Sequence, residues 1–209
     1  MGRATQAVQQ SPLARHPRWL SWLAVAAVGC ASYQGSAHAV ATASLANDPG
    51  WTRIEHLPVT RQAGAKDCGA AALSSVLHYW ERAPNPAGDR EVIDRTLRQS
   101  PSLGLSAGAL RDYARKLGFQ AYVFNGTLAD LKHEVAAGRP VIVGVHKPLS
   151  DNRWLTHYEV FIGIQPAKEQ VLTFDPAHGL RENTVSAFLE EWKRSGQVTL
   201  VVLPSPERT

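Results

Sequence analysis

The sequence lacks several patterns that would point to particular functions. It has no cluster of lysine and arginine, no Gly-x4-Gly-Lys-Ser/Thr loop and no Cys/His spacing typical of a zinc site. The first absence argues against a nucleic-acid partner. The second means that any ATPase would have to be a separate chain, and the third argues against a metal cofactor.

Cysteine is also scarce, with only Cys30 and Cys68 in 209 residues. A disulfide between them would tie an N-terminal leader, described below, to the folded domain. Because that is hard to reconcile with removal of a leader, we expect Cys68 to be a free thiol.

Acidic residues are missing from the first thirty positions, where Arg3, Arg15 and Arg18 supply most of the net charge of +4. Without these three arginines, 19 basic groups face 18 acidic ones, so the remainder is close to neutral. The chain length and a hydrophobic content of 44% are sufficient for one domain with its own core.

The N-terminus has the features of an export signal. Residues 19–32 form a mostly apolar run with the length of a signal-peptide core, too short to span a bilayer comfortably. Residues 27–30, Ala-Val-Gly-Cys, resemble a bacterial lipobox, which would make Cys30 a lipidated N-terminus. Residues 37–39, Ala-His-Ala, instead match a signal-peptidase site that would release a soluble protein beginning at Val40. An uncleaved anchor is a third alternative.

These features predict three regions. Residues 1–30 form a signal peptide of the lipoprotein type, extended to residue 39 if the second site is used. Residues 31–55 are rich in Ala, Ser, Gly and Asn and are interpreted as a flexible tether. Residues 56–209 form the functional domain. The predicted location is the cell envelope, as a membrane-anchored lipoprotein facing the periplasm or as a soluble periplasmic or secreted protein.

The most informative segment is residues 62–69, Gln-Ala-Gly-Ala-Lys-Asp-Cys-Gly, which leads directly into a helix-forming stretch. A cysteine alone is more often a core residue. At a helix N-terminus, however, unpaired N–H groups and the macrodipole stabilise a thiolate. The same N–H groups, together with the side-chain amide of Gln62, can hold an oxyanion. We expect Asp67 to cap the helix.

The hydrophobic periodicity predicts helices in the first half and short strands in the second. A capping box from Thr127 to Asp130 starts one helix and Gly138 ends it. The pattern predicts an α+β fold with a helical half packed on a largely antiparallel sheet. The helices are predicted at residues 68–80, 91–97, 107–117, 127–138 and 186–192, and the strands at 119–124, 140–145, 158–164, 171–174 and 198–203.

Strands 158–164 and 171–174 are predicted to form a hairpin. Antiparallel pairing about its centre would place His157 opposite Asp175 to within a residue or two, so an imidazole would meet a carboxylate. With Cys68 directed across the cleft, the three would form a Cys-His-Asp relay. His146 and His178 are the alternatives for the base.

Several short motifs resemble those of the C39 peptidases, the papain-like cysteine proteases that process bacteriocin leaders. The resemblance extends over residues 56 to 204 and keeps the order of the motifs. It rests on Gln62, Asp67-Cys68-Gly69, Leu73, His157-Tyr158 and Asp175-Pro176.

The resemblance implies a papain-like fold with the active site in a cleft, and it implies no cofactor. It also implies the role of each matching residue. Cys68 would be the nucleophile, His157 the general base, Asp175 the group that orients the imidazole, and Gln62 an oxyanion donor.

One feature departs from the family pattern. C39 domains act on the cytoplasmic side of a peptide exporter and cut after a Gly-Gly leader, whereas this chain carries its own export signal. We therefore predict a cysteine peptidase acting on a peptide or protein outside the inner membrane, with any exporter a separate chain. The alternatives are a thiol hydrolase or acyltransferase acting on another bond, and a peptide-binding module of the same fold.

Overall fold

The computed structural model describes residues 1–2, 35–81, 85–100, 102–149 and 153–205. Among these residues, no helix has the length and apolar character needed to cross a bilayer. The helices are α1 (Thr42–Ala46), α2 (Cys68–Trp80), α3 (Arg90–Leu97), α4 (Ala107–Lys116), α5 (Leu128–Ala136) and α6 (Val185–Arg194). The strands are β1 (His38–Ala39), β2 (Thr52–Arg53), β3 (Gln120–Asn125), β4 (Val141–Pro148), β5 (Trp154–Gln165), β6 (Gln170–Asp175), β7 (Gly179–Thr184) and β8 (Val198–Leu203).

Helix α2 lies at the centre of the domain, with the bounds predicted from the sequence. Its first ten residues, Cys68 to Leu77, are all buried, so it is covered on every side over most of its length. Helix α5 begins with the predicted capping box between Thr127 and Asp130. It ends before Gly138, whose φ of 73° is favourable for glycine at a helix terminus.

The strands form one antiparallel sheet in the order β1-β7-β6-β5-β4-β8-β3, and β2 adds to β5 outside this path. This arrangement confirms the predicted α+β class. Strand β5 is the longest at 12 residues and pairs with β4, β6 and β2. It is therefore the strand around which the domain is organised.

Helices α2 and α6 cover opposite faces of β5. On one face, a Cβ added to Gly69 of α2 would lie 3.2 Å from the ring of Tyr158. On the other, the rings of Phe161 and Phe188 of α6 have centroids 5.4 Å apart. Since side chains alternate along a strand, Tyr158 and Phe161 project to opposite faces, and the sheet lies between the two helices.

Two parts of the fold differ from the sequence-based prediction. Strand β7, with the sequence Gly-Leu-Arg-Glu-Asn-Thr, lacks a β-branched run, but it pairs with β6 along its whole length. In the segment predicted as a tether, β1 pairs with β7 and β2 pairs with β5, and Leu45 is buried. These residues are held to the sheet by backbone pairing, which their composition does not reveal.

Candidate active site

Cys68 is the first residue of α2 and is almost fully buried. The backbone N–H groups of Tyr158, of Gly69 and of Cys68 itself lie close enough to its thiol to lower the pKa of that group. Gly69 allows this approach, because a Cβ there would meet the ring of Tyr158 and the side chain of Leu110, each at 3.2 Å. The thiol therefore lies against the backbone of the residue that follows His157.

His157 and Asp175 form a buried pair. Nε2 of the imidazole lies 2.8 Å from Oδ1 of Asp175, and the two side chains are 2% and 1% exposed. The same carboxylate oxygen accepts the backbone N–H groups of Ala177 at 2.7 Å and His178 at 3.3 Å. Asp175 is thus fixed by its own turn and in turn fixes one edge of the imidazole ring.

The loop that carries Gln62 is attached to the same corner. The backbone N–H of Gln62 donates to the carbonyl of Pro176 at 3.1 Å, next to Asp175. The side-chain nitrogen of Gln62 donates to the carbonyl of Gly64 at 2.8 Å, and its buried Oε1 has no hydrogen-bond partner among the described residues. The loop therefore holds Gln62 beside the His157–Asp175 pair.

Asp67 shapes this loop, but it does not cap α2 as predicted. No side-chain cap bond forms at the start of the helix. Instead, the carboxylate accepts the N–H groups of Ala63 and Gly64, each at 2.9 Å, and Nη1 of Arg90 at 2.6 Å. Asp67 reaches backwards because the loop folds over it, so its role is to hold the Gln62 loop against the helix that carries Cys68.

These groups meet where β6 ends. Pairing between β5 and β6 begins at Val160 and Phe174, so the stretch of β5 that contains His157 and Tyr158 extends beyond its neighbour. Continued by one pair, this register would place Glu159 opposite Asp175 and His157 two residues further along, as the hairpin prediction allowed. The thiol lies near the backbone N–H of Tyr158, which belongs to this extended stretch. The structure thus brings Gln62, Cys68, His157 and Asp175 to one corner of the sheet.

Burial determines the protonation states at this corner. It raises the pKa of the Cys68 thiol, against the backbone N–H groups that lower it. It lowers the pKa of His157 to about 4, because the imidazolium loses solvation. Burial also raises the pKa of Asp175, against its two backbone donors. At neutral pH the free protein therefore carries a neutral thiol and a neutral imidazole.

One functional candidate escaped the sequence-based prediction. Glu159 lies two residues after His157, on the same face of β5, and a nitrogen of His157 and carboxylate oxygens of Glu159 and Asp175 all lie within 4.8 Å of one another. Glu159 is 1% exposed and forms an ion pair of 2.7 Å with Lys147. The His-x-Glu alternation was visible in the sequence, but nothing there showed that its partner would be a buried lysine.

The two alternative histidines occupy different positions. His146 pairs in register with Thr156 on the other face of β5, and its Nε2 lies 3.3 Å from the hydroxyl of that residue. His178 follows β6, and its backbone N–H donates to Asp175. The histidine whose side chain is seen hydrogen-bonded to the Asp175 carboxylate is His157.

The fold matches that of known papain-like cysteine peptidase domains. The peptidase domain of Streptococcus ComA, a bifunctional ABC transporter in a quorum-sensing pathway, is 23% identical, with a TM-score of 0.57 over 72% of this chain and all of that one. A C39-like peptidase from Bacillus anthracis is 17% identical, with a TM-score of 0.57 over 73% of this chain and 98% of that one. A double-glycine-motif protease from an AMS/PCAT transporter, solved with a leader peptide, is 20% identical, with a TM-score of 0.52 over 73% of this chain and 98% of that one.

Family membership follows from the sequence itself. The model of the peptidase C39 family matches residues 56–207, which is well over half of the chain. This protein therefore belongs to the peptidase C39 family, and the resemblance inferred from the short motifs is confirmed. A comparison with curated proteins gives no match.

Proposed function

We propose that this protein is a cysteine peptidase that hydrolyses a peptide bond through Cys68, His157, Asp175 and Gln62. The observation that carries the proposal is the buried His157–Asp175 pair at 2.8 Å, next to a cysteine at the N-terminus of a helix. Family membership and the peptidase fold support peptidase activity. The leader peptide bound to the AMS/PCAT protease supports a peptide as the class of substrate.

The chemistry starts from the neutral thiol and the neutral imidazole. Nε2 of His157 donates its proton to Asp175, so Nδ1 is the atom that accepts the proton of Cys68. The thiolate then attacks the peptide carbonyl and forms a tetrahedral intermediate, whose oxyanion accepts hydrogen bonds from the Cys68 N–H and the Gln62 amide.

Collapse of this intermediate breaks the peptide C–N bond. The amine leaves with the proton held by His157, and the acyl group remains on Cys68 as a thioester. A water molecule then gives a proton back to His157 and attacks the thioester carbonyl. Release of the carboxylic acid regenerates the thiol. Throughout the cycle, Asp175 keeps the imidazole in one tautomer and stabilises the imidazolium.

Digestion of a mixed peptide library, read by mass spectrometry, tests this proposal. The wild-type protein should yield paired fragments, each pair gaining one water. Cys68→Ala and His157→Ala should both reduce cleavage by at least about 10³-fold, whereas His146→Ala on the other face of β5 should retain it. Cleavage by Cys68→Ala at the wild-type rate would refute the assignment. A product that has gained an acyl group instead of water would favour acyl transfer.

For the location, we propose cleavage before Cys30, lipidation of that residue and action outside the inner membrane. Cys30 lies outside the described residues, but the segment after it favours this choice. Cleavage after Ala39 would remove a stretch that is part of the fold. In that stretch, the backbone N–H and hydroxyl of Ser36 donate to Glu191 at 3.4 Å, and His38 lies 3.3 Å from Glu182.

The intact mass of the membrane-extracted protein separates the two maturation sites. A diacylglyceryl-modified chain beginning at Cys30 is expected, and Cys30→Ala should abolish this mass. A soluble wild-type chain beginning at Val40 would refute lipidation without affecting the proposal for the active site.

A further inference from the structure

A buried charged cluster lies directly behind the His157–Asp175 pair, on the α6 side of the sheet. It consists of Lys147, Glu159 and Glu191. Nζ of Lys147 lies 2.7 Å from Oε1 of Glu159 and 2.6 Å from Oε2 of Glu191. The lysine side chain is 1% exposed, and the two glutamates are 1% and 6% exposed.

The cluster contains two carboxyl groups and one lysine, and burial raises the pKa of Glu191 against the attraction of Lys147. When both glutamates are ionised, the single charge of Lys147 is shared between them, since its Nζ lies within 2.7 Å of each. The mutual attraction of Lys147 and Glu159 lowers the pKa of Glu159 despite its burial, so this carboxylate is ionised at neutral pH.

Stability alone does not account for this cluster. Removing several charges from water costs free energy, and well-packed apolar residues in place of a buried ion pair often leave a protein equally stable or more stable. Phe161 and Phe188 show that the same face of the sheet can pack aromatic rings. The position of the cluster beside the imidazole suggests a functional reason for it.

We propose that Glu159 is a positioning residue for His157, and that its carboxylate stabilises the imidazolium that forms when Cys68 loses its proton. This inference rests on the proposed function and extends it with a second carboxylate. Asp175 holds the ring through Nε2, and Glu159 adds negative charge within 4.8 Å of a ring nitrogen. The attraction of Glu159 raises the pKa of His157, against a larger decrease caused by burial.

The other charged or titratable groups around this pair are identified by the structure. Lys147 and His178 each oppose protonation of His157, while Arg181 acts on Asp175. From the elements packed around His157 and Glu159, the groups are Lys147 (β4), Cys68 (α2), Asp175 (β6), His178 (the turn after β6), Arg181 (β7) and Glu191 (α6).

The test is the pH dependence of Cys68 alkylation by iodoacetamide, followed by the mass of the peptide that contains Cys68. Glu159→Gln keeps the shape of the side chain and removes its charge. Because the imidazolium loses a stabilising charge, fewer molecules carry a thiolate, and alkylation near pH 6 should slow by about tenfold. A merely structural disturbance would act in the opposite direction, since opening the site exposes the buried thiol and speeds alkylation.

Glu191→Gln is the matched control. It also removes one carboxylate charge that pairs with Lys147. Glu191, however, lies on α6 and is not one of the three side chains, His157, Glu159 and Asp175, whose polar atoms lie within 4.8 Å of one another. Its alkylation rate should stay within about twofold of wild type, although its stability should fall. Equal slowing in both variants, no slowing in either, or faster alkylation in Glu159→Gln would overturn the role of Glu159.

A double variant covers the case in which Glu159→Gln does not fold. Lys147→Gln combined with Glu159→Gln removes one charge of each sign, including the lysine charge that opposes protonation of His157. Its alkylation should fall between those of wild type and of Glu159→Gln, or within about tenfold of wild type if the single variant is unfolded. A slowing well beyond tenfold would contradict the inference. Alkylation does not require a substrate, so these outcomes are distinct from the loss of cleavage in Cys68→Ala that tests the proposed function.

Discussion

The two faces of β5 bury different kinds of side chain. Towards α2 the strand presents Tyr158 and Val160, which pack against the central helix. Towards α6 it presents His157 and Glu159, which pair with Asp175 and Lys147. Both faces are equally well buried, so the difference is chemical. One face positions the nucleophile by packing, and the other holds the charged groups that we propose act on it.

The largest effect should come from removing a charge on the α6 side of β5, the polar face formed by His157 and Glu159 with their partners Asp175 and Lys147. Asp175→Asn keeps the size of the side chain but removes the charge that would stabilise the imidazolium, and it can leave the wrong ring tautomer facing Cys68. We expect cleavage of the library-selected peptide to fall by about 10²- to 10⁴-fold with little change in unfolding free energy. Leu73→Ala on α2 is the contrasting variant, described next. A fully active Asp175→Asn protein would contradict the role proposed for the charged groups on the α6 side of β5.

On the other side of β5, a change in the packing of α2 should lower stability without altering the chemistry of the site. Leu73 is fully buried, and Leu73→Ala should lower the unfolding free energy by about 2 to 5 kcal/mol because it leaves a cavity. Urea denaturation measures this loss. The pH dependence of Cys68 alkylation should keep its shape in the folded variant, and a shifted profile would show that the two faces are not separable.

The pH dependence of stability should report the polar face as well. The unfolded imidazole binds a proton below about 6.5, whereas buried His157 does so only at about 4. A base whose pKa is lower in the folded state makes its full contribution to stability at pH values above its unfolded pKa. This contribution is lost as the pH falls towards the folded pKa. Stability should therefore decrease between pH 6.5 and 4 by on the order of 3 kcal/mol from this residue. His157→Gln should flatten this part of the curve and His146→Gln should not; an unchanged curve in His157→Gln would contradict the buried neutral imidazole.

The smallest effect concerns the contact between α2 and β5. Gly69→Ala would place a methyl group 3.2 Å from Tyr158 and Leu110 and should cost about 1 to 3 kcal/mol in stability. In α4, a Cβ on Gly108 would meet its nearest atom at 3.9 Å, so Gly108→Ala should instead stabilise by about 0.5 to 1 kcal/mol. Thermal unfolding of both variants measures the difference, and equal shifts would show that the contact at Gly69 is not tight.

The sequence predicted those elements whose signals lie within their own residues. Helix α2 has an apolar surface all round and a clear start, and α5 has a capping box, so both were predicted well. The hairpin register followed from the lengths of its strands, and it placed His157 near Asp175. The β-bulge between Phe161 and Gly163 could not be predicted, because neighbouring strands determine it.

The parts that could not be predicted depend on distant partners. Strand β7 forms because β6 lies beside it, and Asp67 reaches backwards because the Gln62 loop folds over it. The charge of buried Glu159 depends on Lys147 beside it. Glu159, Lys147 and Glu191 come from three separate elements, so their proximity cannot be inferred from sequence spacing. Sequence spacing therefore suggested the proposed catalytic residues but not the cluster behind them.

If Cys30 is lipidated as we propose, the pairing of β1 with β7 would limit the distance between the domain and the membrane. Gly35 is the first described residue after Cys30, and the four residues between them allow a reach of at most about 18 Å. From Glu182, which pairs with His38, β7 runs three residues to the turn beside Asp175, or about 10 Å. The three residues from Gly35 to His38 and the step across the β1–β7 pair add about 15 Å. A lipid on Cys30 would thus keep the active site within about 45 Å of the bilayer.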